Sequence, residues 1–267
     1  MNQIIIPNFV VAKPFHNNKL FQALANCQSK GYSAQFIPEI MDSRSISDRD
    51  NDIWTQRYSA PSVIVTGTTK NGSKVVVYAH VPNYFSNPKN IQKALSNVRE
   101  GAGAYPEKEL HRLIALEDGE RVSVLDYDIA TKAKSGRMSL DDARENPHTK
   151  AFIGGEARTE KCLAQHKQVV GNTIGVYHSD DMDTVPRARL LFAGNRGDSG
   201  YLSGDDNLVN GGRFVGVRDN AVGVAKKSSL ETLVGKGRDV GNGIIVMNKE
   251  SMSKEAYNLV TGKYLNQ

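Results

Sequence analysis

Cysteine is scarce in this chain, tryptophan nearly absent, and neither a long apolar run nor a block of like charge interrupts it. Two cysteines in 267 residues, Cys27 and Cys162, exclude a disulfide scaffold and leave room for a single bridge at most. Each sits among apolar neighbours in a helical-looking stretch, as a small buried residue does. Such usage predicts a reducing, cytoplasmic setting. No segment reaches the roughly 20 apolar residues that cross a bilayer, so no membrane partner is expected. The opening stretch from Met1 has no basic region, and Pro7 and Pro14 break its apolar residues. That predicts no secretory leader. Lys and Arg exceed Asp and Glu by only 34 − 29 = 5, and the longest basic run is Lys226-Lys227. Nucleic-acid binding, which concentrates basic residues on one face, is therefore not signalled.

What is present is enough for a core. Hydrophobic residues make up 39% and charged residues 24%, a balance that excludes wholesale disorder. Asn18 can cap a helix over 19–29 in which Leu20, Leu24 and Cys27 share one face, with Gly31 as its stop. Alternation over 32–40 reads as a strand. The polar stretch 42–52 reads as an exposed loop, pinned back by Trp54 and Tyr58. The clearest local signal is a β-hairpin: runs 62–68 and 74–80 flank Asn71-Gly72, which supplies the positive φ angles of a tight turn. Helices are expected over 88–98 and 106–118, the latter with Leu110, Leu113 and Ile114 as an apolar stripe. A strand follows over 122–130, a short helix over 140–145 and a short strand over 151–153. A further helix carries Cys162, His166 and Val169 on one side. Strands are expected at 173–177, 189–193, 214–217, 221–225 and 244–247, and a last helix at 254–260. Residues 194–243 hold 12 of the 24 glycines, which implies turns and close backbone approaches. Together these predict a mixed α+β fold: one compact domain over 1–267 with a mixed sheet, the 62–80 hairpin, and a Gly-rich β-type C-terminal part whose residues 189–250 can form a sub-lobe.

Three short constellations carry candidate chemistry. Gly197-Asp198-Ser199-Gly200 places a hydroxyl between glycines, where the backbone can approach a carbonyl and its amides can form an oxyanion hole. A serine needs a base. His80 ends the hairpin and Asp128 follows a strand, giving the chain order His, Asp, Ser. Residues Ala79-His80, Asp128-Ile129-Ala130 and Gly197-Asp198-Ser199-Gly200 resemble fragments of the chymotrypsin-like serine peptidases. The resemblance covers about nine residues and implies a hydrolase with Ser199 as nucleophile, His80 as base and Asp128 as its orienting acid, on a pair of β-barrels; the nearby Asp126 is the alternative acid. The chain departs from that family in the two helices expected between His80 and Asp128, and in Tyr201 after Gly200. A polar turn between strands explains the same four residues.

The second constellation, His178, Asp180, Asp181 and Asp183, gathers an imidazole and three carboxylates just past a strand, the donor set of a divalent metal ion. An ordinary acidic loop explains it too. The third, Gly154 and Gly155 between a strand and a helix, can present amides to a phosphate-bearing cofactor or can form a tight connection. Cys162 and His166, four apart on one helix, can meet, as a catalytic pair or as buried neighbours. Three functions therefore stay open: a Ser199 hydrolase, a non-enzymatic interaction or structural protein forming a homo-oligomer, and a protein binding a divalent metal or an anionic ligand. The substrate is unknown.

Overall fold

The computed structural model describes residues 11–179, 182–198, 200–218, 238–239 and 244–245. They fall in two units, Met1–Asp219 and Asn220–Gln267. In the second unit, the described residues are two short antiparallel strands, Arg238–Asp239 and Ile244–Ile245. The strand expected at 221–225 and the helix at 254–260 lie outside the described residues.

The first unit is a mixed α+β fold. Its strands, in chain order, are β1 (Val11–Asn17), β2 (Ser33–Ala34), β3 (Tyr58–Thr68), β4 (Lys74–Ala79), β5 (Val98–Arg99), β6 (Ala102–Ala104), β7 (Val122–Asp126), β8 (Gly136–Ser139), β9 (Thr173–Tyr177), β10 (Arg187–Ala193), β11 (Leu202–Ser203) and β12 (Gly212–Arg218). Its helices are α1 (Leu20–Ser29), α2 (Ile37–Ser45), α3 (Asp52–Thr55), α4 (Pro88–Ala94), α5 (Glu107–Ile114), α6 (Tyr127–Lys132), α7 (Leu140–Glu145), α8 (Pro147–Ile153) and α9 (Glu156–Val169). The strands join in one sheet whose spine runs β1-β12-β3-β10-β11-β9-β8, with β4 on β3 and β7 on β4. Pairing is antiparallel except between β11 and β9 and between β12 and β3.

The hairpin forms as its sequence predicts. Val65 opposes Val77 and Thr68 opposes Lys74, and Gly72 takes φ +87° at the turn. Helix α1 buries Leu20, Leu24 and Cys27 as expected, and Gly31 follows it at φ +75°. The apolar run Val75-Val76-Val77 does not alternate with polar residues, because both faces of the sheet are covered. Val63, Val65, Val75 and Val77 pack with Leu24, Ile91, Leu110 and Leu113 on one face. Ile64, Val76 and Tyr78 pack with Ile40, Trp54, Phe152 and Leu163 on the other. Continuous apolar strands are usual for parallel sheets buried on both sides; helices on both faces impose the same pattern on these antiparallel strands.

Three expectations are corrected. Residues 32–40 give only the two-residue β2 before turning into α2, where Pro38 occupies the first turn, a position that suits its missing N–H. Residues 151–153, expected as a strand, end helix α8, which starts at Asn146-Pro147. The 122–130 run stops at Asp126, whose side chain caps α6 by accepting from the amides of Asp128 and Ile129. The Gly-rich residues 189–218 do not form a lobe of their own, since β10 and β12 flank β3 inside the main sheet. Cys27 and Cys162 are both free and buried. Among the described residues no helix is long and apolar enough to cross a membrane.

Candidate functional site

Of the side chains expected to form a triad, His80 and Asp128 are not brought together. His80 is buried at the end of β4. Its Nδ1 lies 3.0 Å from Ser62 Oγ and its Nε2 2.9 Å from the carbonyl of Ala151. A carbonyl only accepts, so Nε2 carries the proton and Nδ1 accepts from the Ser62 hydroxyl. That hydroxyl oxygen in turn accepts from the Ile37 amide at 2.9 Å. Burial pushes the imidazole down to about 4, so the ring is neutral and both nitrogens are occupied. Asp128 is exposed in the first turn of α6. Its neighbour Asp126 opposes Val75, five residues along β4 from His80, about 16 Å at the usual rise. Ser199 lies outside the described residues. One sheet between helical layers stands where the peptidase resemblance implied two barrels.

Two of the expected metal ligands, His178 and Asp183, are engaged elsewhere. The ring of His178 stacks on that of His148, centroids 3.5 Å apart and planes 6° from parallel. Asp183 receives Arg187 Nε at 2.8 Å, Arg99 Nη1 at 3.0 Å and the Thr184 amide at 2.7 Å. The Arg187 hydrogen bond is the main cause that holds its carboxyl down at about 2. Asp180 and Asp181 lie outside the described residues. Among the described residues no three His, Cys, Asp or Glu side chains are grouped to hold a metal.

Gly154 and Gly155 join two helices rather than a strand and a helix. Both have positive φ, +91° and +100°, and both amides donate to the Lys150 carbonyl. A Cβ on Gly155 would stand 3.1 Å from Glu120 Cγ. The pair serves a close approach of chain to chain, and its own two amides are already bonded. Cys162 and His166 are separately satisfied, by the carbonyls of Met41 and Thr173. Burial lifts the thiol to about 12 and lowers the imidazole to about 4, the reverse of an activated pair.

What the fold does assemble lies at one end of the sheet. There β1 and β10 finish, β3 and β12 begin, and a cleft of about 310 Å3 opens, lined by residues that include His16, Arg57, Phe192, Asn195 and Arg213. The Arg57 guanidinium lies over the Phe192 ring, 4.4 Å from its centre, and its Nη2 pairs with Asp206. Ser203 Oγ lies 2.6 Å from the same carboxylate. Arg213 donates its amide to Ser59 Oγ at 3.2 Å. Gly212 lets β12 start against α1, where a Cβ would come 3.1 Å from Leu20 Cγ.

The described residues 194–198 and 200–211 border this cleft and are held at three points by residues outside them. Arg44 of α2 donates to the Gly194 carbonyl at 2.5 Å. Arg189 of β10 donates to the Asp205 carbonyl at 2.8 Å. The Leu208 amide donates to the Gly101 carbonyl at 3.0 Å, and the Leu208 side chain is buried. Sequence reasoning missed Arg44, Arg57 and Arg213. Gly211-Gly212 ahead of Arg213 was the one local signal of a tight approach there.

No family model matches the chain, and no curated protein does. One solved structure does, described as "Accommodation of massive sequence variation in Nanoarchaeota by the C-type lectin fold". It aligns over 80% of this chain and 100% of its own length with a TM-score of 0.76. The fold is thus that of the C-type-lectin class. Sequence identity over the match is 41%, and the chain belongs to the same family as that Nanoarchaeota protein.

Proposed function

We propose that this chain is a non-enzymatic recognition protein that binds its ligand on the Gly194–Gly211 segment and the adjoining cleft. The observation that carries the reading is the support of that segment. Its backbone is fixed by Arg44, Arg189 and Gly101, none of which belongs to it. A loop whose path is set by the scaffold can change its outward side chains without losing its shape. The related Nanoarchaeota structure is described in terms of sequence variation accommodated by this fold, which agrees with such a division between support and surface. The satisfied state of His80 and the exposure of Asp128 favour binding over hydrolysis.

A library diversified at Arg196, Val209 and Asn210 tests the reading. Val209 and Asn210 are exposed, and exposed substitutions usually move stability by less than about 0.5 kcal/mol. Most members are expected to resist protease as the parent does, and members selected on different ligands to differ at these positions. Loss of the folded state across the library, or failure to select any binder, would overturn it.

A further inference from the structure

We propose that the cleft at this end of the sheet is an oxyanion site: it takes a ligand through a carboxylate, phosphate or sulfate group held between Arg57 and Arg213. This rests on reading the same face as the recognition surface and names the chemistry it selects.

Donors converge there from separate elements. His16 comes from β1, Arg57 from the residue before β3, Asn195 from the turn after β10 and Arg213 from β12, and among the described residues no carboxylate lines the cleft. Asp206 reaches Arg57 from the side and neutralises one of the two guanidinium charges. Arg213 makes no ion pair among the described residues. The balance of these three groups is 2 − 1, one positive charge facing the opening.

Arg57 is positioned before any ligand arrives. Its guanidinium lies 4.4 Å from the centre of the Phe192 ring and is tethered at Nη2 by Asp206, itself held by Ser203. The side chain keeps 37% of its surface exposed, so the fork is fixed and still open to an oxyanion. Arginine presents donors in a planar fork that matches two oxygens of such a group. A volume of about 310 Å3 is at the lower end for small-ligand sites, room for the anionic group and a small body behind it. Tyr58, next in sequence, competes poorly as a counter-anion, because burial lifts its phenol to about 12 and keeps it neutral.

The test uses the full chain, titrated with inorganic phosphate, sulfate and acetate in turn, with ionic strength held by sodium chloride. Amide chemical shifts and Tm are read together. Phosphate and sulfate raise the Tm of most proteins by exclusion from their surface, so saturation and the variants decide. The expected result is a saturable shift of amides near Asn195 and Arg213, weakened at least tenfold in Arg213→Gln and in Arg57→Lys, which keeps the charge but loses the planar fork. Tighter binding of acetate would place the natural ligand among carboxylates. Tighter binding of phosphate or sulfate would place it among tetrahedral esters. A shift linear in concentration, or one that both variants leave as strong as in the parent, overturns the proposal. Because the library experiment reads folding and selection without these anions, its outcome is independent, and failure here alone would leave the recognition reading standing with a different ligand class.

Discussion

Arg44 donates to the carbonyl of Gly194, 150 residues further along the chain, from a position where its side chain is fully buried. The same guanidinium donates through Nε to the Ile53 carbonyl at 3.0 Å and lies 4.9 Å from the centre of the Trp54 ring. Trp54 returns a bond from its indole N–H to the Arg44 carbonyl at 3.2 Å. One side chain thus ties α2, α3 and the start of the segment after β10 into a single corner. Burial lowers its pKa to about 10, still charged at neutral pH.

Arg44→Ala removes the donor to two carbonyls and leaves a cavity under Trp54. Each orphaned group costs about 1–3 kcal/mol and the cavity adds to that, so a loss of about 3–5 kcal/mol is expected in urea unfolding. Arg44→Lys should recover little, since one ammonium cannot span both acceptors while lying on the indole. A variant within about 1 kcal/mol of the parent would show that the corner is not held this way.

Acid should destabilise the protein well above the range where carboxylates titrate. His80, His148 and His166 are each pushed down to about 4, with burial the largest cause. An unfolded histidine titrates near 6.5. Between those values the unfolded chain binds protons that the folded chain refuses, so stability falls as pH drops from about 6.5 toward 4. Each group contributes up to about 1.4 kcal/mol per pH unit, about 4 kcal/mol for three. Urea midpoints measured from pH 7 to 4.5 should fall steeply, and His166→Gln should take away about a third of the slope. A flat profile over that range would refute the assignment of three neutral buried rings.

How much of this was legible in the sequence follows from how local each cause is. The hairpin was readable because Asn71-Gly72 and the β-branched runs act within a few residues. Helix α9 was readable because Cys162, His166 and Val169 repeat at helical spacing and are indeed buried. Helix α2 was hidden because 32–37 alternates like a strand, and only Pro38 in its first turn signals the switch. Arg44 was read as part of an exposed polar loop; its burial depends on carbonyls that are distant in sequence. The cleft had no motif at all. Arg57 and Arg213 are ordinary single arginines until β12 pairs beside β3, with Phe214 opposite Ser59. The expected pairing of His80 with an aspartate failed for the converse reason. Its fragments were local matches, and the register of β4 on β7 sends Asp126 and His80 to opposite ends.

Gly216 is a packing position that tolerates no Cβ. It lies in β12 opposite Lys13, and a Cβ there would stand 2.6 Å from Phe15 Cε2 and 2.7 Å from Cys27 Sγ. Both neighbours are buried, so neither can swing into solvent. Gly216→Ala should cost about 1–3 kcal/mol by overpacking. Adding Cys27→Ala should return part of that loss, a positive coupling read in a double-mutant cycle. Additive losses would mean the strand relaxes away from α1 instead.

Two buried histidines use one device, and comparing them gives the last prediction. His148 Nε2 lies 2.9 Å from the Ala130 carbonyl and its Nδ1 2.7 Å from the Tyr78 hydroxyl. His80 has the same arrangement with Ala151 and Ser62. In each ring the carbonyl fixes the proton on Nε2 and a hydroxyl donates to Nδ1. Ring nitrogen-15 shifts at pH 7 should therefore show both as the Nε2–H tautomer. The hydroxyls differ in what else they serve. Tyr78→Phe strands one acceptor, His148 Nδ1, for about 1–3 kcal/mol. Ser62→Ala strands His80 Nδ1 and also the Ile37 amide that begins α2, so two buried groups lose partners and about twice that loss is expected. Ser62→Ala should be the more damaging although it removes a single oxygen. Equal losses, or an Nδ1–H signal from either ring, would contradict the paired arrangement.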